Sequence, residues 1–169
     1  MSTAEHLLYE FPCNEKIRTY LRLEALFQRF DWFCEQTSAI AHQAGISALF
    51  DLLDATARSD LRHELIQELE RQRQRLIAKN ASADPDMAAH LAEIGAAIQA
   101  VSDSVGRTTQ SVRENQWLQI IRTRQSIAGG TCEFDLPQMH LWMNTAPEIR
   151  RRELQSYVST LEPIRTGTM

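Results

Sequence analysis

The helical spacing that runs through most of this sequence breaks at Gly129-Gly130, and that break constrains the fold more than any other feature. From Ser126 to Trp142 the chain reads S-I-A-G-G-T-C-E-F-D-L-P-Q-M-H-L-W. After the glycines, Thr131, Glu133 and Asp135 alternate with Cys132 and Phe134. This period-2 pattern predicts a half-buried strand over 131–136, with Cys132 and Phe134 turned inward. Pro137 has no N–H to give to a ladder and closes the strand. The glycine pair predicts a turn in which φ is positive. A lone strand cannot satisfy its own backbone, so the segment is expected to join the helices to a small sheet. Leu7–Phe11 (L-L-Y-E-F), stopped by Pro12, is the candidate neighbouring strand.

The rest reads as amphipathic helices, giving a mainly α fold: a bundle of about six helices, with one or two short strands of a small, mostly missing β domain. The first helix covers 15–33, with Asn14 as N-cap and Glu15 in its first turn. Its apolar face includes Leu23, Phe27 and Phe30, and Arg18, Arg22 and Arg29 share an opposite stripe. The second covers 38–57, with Ile46, Leu49, Phe50, Leu52 and Leu53 inward; Gly45 within it predicts a close contact or a break. The third, 59–79, starts at Ser59, and its Glu68 and Glu70 are spaced to pair with Arg71 and Arg73. The fourth, 86–104, follows Asp84-Pro85. The fifth spans 109–126. After a short apolar turn, Thr145-Ala-Pro-Glu148 reads as a capping box for a sixth helix ending near Leu161, where Pro163 halts it.

Composition limits the function classes. The chain has 169 residues, 43% of them hydrophobic, which suits one domain with a core. No apolar window reaches the roughly 18 residues of a membrane span, and no basic-then-apolar leader opens the chain. Three cysteines, Cys13, Cys34 and Cys132, give an odd count without close spacing, which fits a reducing cytoplasm. The net charge is −4, and nearly all the basic residues are arginine, whose planar fork suits carboxylates and phosphates.

The pattern assigns no catalytic, metal-ligating or cofactor-binding residue. Cys132 and His140 could form a nucleophile–base pair, but nothing near them supplies an orienting group or oxyanion hole. The histidines His6, His42, His63, His90 and His140 lack zinc-type spacing. Gly129-Gly130 precedes no Lys-Ser or Lys-Thr helix start and is no phosphate loop. The arginines carry the functional signal: Arg58, Arg62, Arg113, Arg122 and Arg124, with the Arg150-Arg151-Arg152 run, lie on helices expected to pack together. An acidic chain with a local basic patch suits a mixed-charge peptide better than nucleic acid. The alternatives are a helical nucleic-acid-binding or regulatory module using those arginine faces, and an enzyme fragment retaining Cys132 and His140.

N-E-K-I-R-T-Y-L-R-L-E (Asn14–Glu24), the arginine-containing block at Arg58–Leu65, E-L-E-R-Q-R (Glu68–Arg73) and the Ser126–Trp142 block resemble ZapD, a family of FtsZ-associated bacterial cell division proteins. The resemblance implies a cytoplasmic non-enzyme acting at the midcell division site. It implies a homodimer that binds the FtsZ C-terminal tail, bundles protofilaments and promotes division-ring assembly, with no nucleic-acid or membrane partner. Arg22 and His140 match positions associated with the dimer contact; a third, arginine in the family, is Gln116 here. The family continues into strands that carry further basic residues for the tail. The chain thus reads as a helical domain over 1–169, with 7–11 and 131–136 as strand segments of a partial β domain.

Overall fold

Asn14 starts the first helix as its side chain predicts: its Oδ1 accepts from the Ile17 N–H at 2.9 Å. The computed structural model describes residues 11–58, 60–78, 85–104, 112 and 114–168. Helix α1 (Glu15–Glu35) and helix α2 (Ala39–Thr56) pack as a hairpin. Their shared core contains Leu23, Phe27, Phe30, Ile46, Leu49 and Leu52, each almost fully buried. Gly45 does not break α2; it is buried there against Phe33 and Leu154.

Helices α3 (Leu61–Ala78) and α4 (Pro85–Asp103) form a second hairpin. The expected ion pairs on α3 are present, Arg71–Glu68 at 2.7 Å and Arg73–Glu70 at 3.3 Å. Both are substantially exposed, and such pairs contribute about 0.2–0.5 kcal/mol each. Ser59 and Lys79, expected at the ends of this helix, lie outside the described residues, as does Asp84.

Helix α5 (Gln116–Gln125) is capped by Asn115, whose side chain accepts from the Leu118 N–H at 3.1 Å. Helix α6 (Pro137–Met143) is short, and helix α7 (Pro147–Val158) packs across α2 and α1. A 3-10 turn, Ser159–Leu161, leads into helix α8 (Glu162–Thr168). Pro163 therefore lies in the first turn of a new helix rather than halting the old one, a position where its missing N–H costs nothing. Thr145 does not cap α7: Ala146 holds that place, and the Thr145 hydroxyl donates instead to the Trp142 carbonyl at 2.7 Å.

Helix α8 closes the bundle. It touches α1, α3 and α4. Arg165 bonds Asp31 of α1 at 2.5 Å and lies over the Phe27 ring at 5.4 Å. Ile164 is fully buried, and Gly167 sits against Leu65 and Val101.

The fold is mainly α, as expected, and the described residues contain no strand. The strand expected over 131–136 is a run of turns. Cys132 N–H donates to Gly129 O at 3.0 Å, and Asp135 and Leu136 both donate to Cys132 O. These local bonds occupy the N–H groups that a ladder would have used. Phe134, expected inward, is 83% exposed. Of the other strand candidate, residues 7–10 lie outside the described residues; Phe11 is exposed and belongs to no strand.

Candidate functional site

The turn segment after α5 is built on two glycines that act differently. Gly129 takes φ +74°, the left-handed region that favours glycine. Gly130 is required by space: a Cβ there would lie 2.3 Å from the Arg124 carbonyl oxygen and 3.0 Å from the Ile127 Cβ. The obstacle is backbone, so it cannot rotate away. Gly130→Ala is expected to destabilise the protein by about 1–3 kcal/mol, read as a lower urea midpoint. An unchanged midpoint would mean that the segment reseats freely.

Two side-chain bonds hang this segment along α2. Gln43 donates to Thr131 Oγ1 at 3.2 Å, and Gln125 donates to Ser47 Oγ at 2.9 Å. Between them runs a groove of about 510 Å³ flanked by Ile40, Ala44 and Ile127. It continues past Gln43 and Thr131 into a space of about 360 Å³ beside Glu133, His140 and Met143. His140, exposed on α6, has Nδ1 3.2 Å from Glu133 Oε1. Cys132 turns its thiol to the Gly129 carbonyl rather than to His140. The geometry therefore lends nothing to a nucleophile–base pair, and burial pushes the Cys34 thiol up to about 12, keeping it protonated. No three His, Cys, Asp or Glu side chains cluster for a metal among the described residues.

The three positions expected at a dimer contact, Arg22, Gln116 and His140, are exposed on α1, α5 and α6 respectively. No hydrogen bond or ion pair links them among the described residues. The arginines separate into two groups. Arg58 pairs with Asp60 at 3.4 Å. Arg122 pairs with Asp54 and lies over the Phe50 ring at 5.7 Å, pinning α5 to α2. Arg62 and Arg124 have no acidic partner among the described residues, and the Arg62 Nε is buried without a hydrogen bond. Arg113 lies outside the described residues.

The 150–152 run departs most from its sequence reading. Arg150 is 3% exposed and makes four hydrogen bonds: Nε to His42 Nδ1 at 3.0 Å, and its terminal nitrogens to the carbonyls of Met143, Thr145 and Thr37. Arg151 donates to the Cys34 and Glu35 carbonyls, satisfying the C-terminal end of α1. These cations hold helices together and are not part of an outward basic patch. One signal could have found the network: His42 lies on the apolar stripe of α2, four residues before Ile46 and seven before Leu49. His42 is fully buried, and its Nε2 lies 3.3 Å from the Cys34 carbonyl.

Comparison with known proteins decides the family. A family model described as "ZapD: Cell division protein" matches residues 21–169. The chain belongs to the ZapD family. Proteins named Cell division protein ZapD from Nitrosomonas eutropha and Cupriavidus metallidurans are each 43% identical over 164 residues, 95% of this chain. The one from Dechloromonas aromatica is 41% identical over 162 residues. These ZapD relatives are longer: the chain spans 65%, 65% and 64% of their lengths. No helix among the described residues is long and apolar enough to cross a membrane.

Proposed function

We propose that this chain is the helical scaffold of a cytoplasmic division factor. As a homodimer it binds the C-terminal tail of FtsZ, cross-links protofilaments and promotes ring assembly at midcell. Membership of the ZapD family is the observation that carries the reading. A disordered tail binds weakly through a few charged and apolar contacts. Two such sites on one rigid dimer raise the effective concentration for the second tail and bridge two filaments. No bond is made or broken, so no catalytic group is needed.

The proposed dimer contact uses Arg22, Gln116 and His140. Gln116 offers an amide where the family has a forked cation, so its share of the contact is a neutral hydrogen bond. Of the arginines expected to bind the tail, Arg62 and Arg124 make no ion pair among the described residues. Arg58 and Arg122 would have to leave Asp60 and Asp54 to bind. The same ion pairs shrink the basic face that the nucleic-acid alternative needs.

Low-speed sedimentation of FtsZ polymers, with this chain and with a full-length family member, tests the reading. More polymer should pellet when either bundles; no change with the full-length protein would overturn it. A fluorescent tail peptide titrated at about 50 mM and about 300 mM salt should bind several-fold more weakly at the higher value, because exposed charge contacts are screened. Equal affinities would remove the arginines from the contact.

A further inference from the structure

The His42–Arg150 contact joins two corners of the fold that are far apart in sequence. His42 Nδ1 accepts the Arg150 Nε–H, so that nitrogen carries no proton. The hydrogen of the neutral ring is then on Nε2, donated to the Cys34 carbonyl at 3.3 Å. Arg150 reaches from α7 to Thr37 between α1 and α2, and to Met143 and Thr145 between α6 and α7. The same arginine thus holds the chain on both sides of the groove, whose walls include Gln43 from α2 and His140 and Met143 from α6.

We propose that His42 is a proton-operated latch. When neutral it locks the α6–α7 corner onto the α1–α2 corner; when protonated it expels the Arg150 guanidinium and frees the wall that carries His140 and Met143. A second proton on the ring places an N–H against an N–H and a cation beside a cation, with both side chains buried. The Gln36 and Cys34 carbonyls favour the charged ring, but burial outweighs them. Arg150 and Arg151 face the ring from α7 and both oppose its charge; α1 presents the backbone of Cys34 and Gln36. Of the nearby α1 carboxylates, Asp31 is held by Arg165. Burial first, and the two arginines after it, lower the His42 pKa from its ordinary 6.5. The folded state therefore binds the proton less readily than the unfolded chain. The latch contributes its full stability above 6.5 and loses it as pH falls through the lowered folded value. This inference does not depend on the FtsZ reading, and its test uses no partner.

The test compares wild type with His42→Gln, whose amide can accept from Arg150 and donate to Cys34 but does not titrate. Backbone hydrogen exchange at residues 36–38 and 143–146, corrected for intrinsic rates, is followed from about pH 8 to about pH 5. Wild type should lose protection at both corners together as the solution acidifies, and His42→Gln should not. His63, His90 and His140 are exposed in both proteins and cancel in the comparison. Identical pH profiles overturn the latch. If His42→Gln does not fold, ring NMR of the wild type decides. His42 must protonate below the exposed histidines, with the Arg150 Nε–H signal disappearing in step. Protonation alongside them with that signal intact overturns it.

Discussion

Arg150→Met is expected to lower the unfolding free energy by about 4 kcal/mol, and so to drop Tm by roughly 10 °C in a domain of this size. Methionine fills much of the same volume and donates nothing. Four acceptors, His42 Nδ1 and the carbonyls of Thr37, Met143 and Thr145, would lose this donor. Each buried acceptor left bare costs about 1–3 kcal/mol, discounted where water can enter. Arg152→Met, one residue beyond Arg151 and exposed, should change stability by less than about 0.5 kcal/mol. Urea unfolding of the two proteins side by side makes the comparison. Equal midpoints would show that the buried arginine holds nothing.

Phe27→Ala should cost about 3–5 kcal/mol, whereas Phe134→Ala should cost almost nothing. Phe27 is fully buried in the α1–α2 core beneath the Arg165 guanidinium, and its loss opens a cavity between helices that cannot close up. Phe134 is 83% exposed at the tip of a turn. Were 131–136 a strand with Phe134 inward, the two losses would be similar. The ratio of the two effects therefore tests the turn assignment directly.

The helices were readable because their information is local and repeated. Ile46, Leu49, Phe50, Leu52 and Leu53 declare the α2 face within a few turns, and all are buried. Asn14 and the Glu68–Arg71 spacing are local in the same way. The 131–136 segment failed because five alternating residues fit a strand and a chain of tight turns equally well. What separates them is whether the N–H groups find partners three or four residues back, and no periodicity contains that information. The Arg150-Arg151-Arg152 run was misread for a related reason. Its decisive partner, His42, lies 108 residues away. Pro163 shows the converse limit, since proline marks a helix's end and a helix's first turn alike. The outlying members of the candidate site, Arg22, Gln116 and His140, came from resemblance, and nothing in their local pattern sets them apart from other exposed residues.

Helix α8 has a consequence for how the chain comes into being. Arg165 and Asp31 are 134 residues apart, so the α1 surface that α8 covers is synthesised long before its cover. Until Thr168 leaves the ribosome, Leu65, Val101 and Phe27 share no common lid. Both hairpins can form as they emerge, because their contacts are short-range, but the contacts α8 makes with α1, α3 and α4 come last. During elongation the flanks of α1, α3 and α4 that α8 covers are therefore bare, the interval in which a holdase has most to protect.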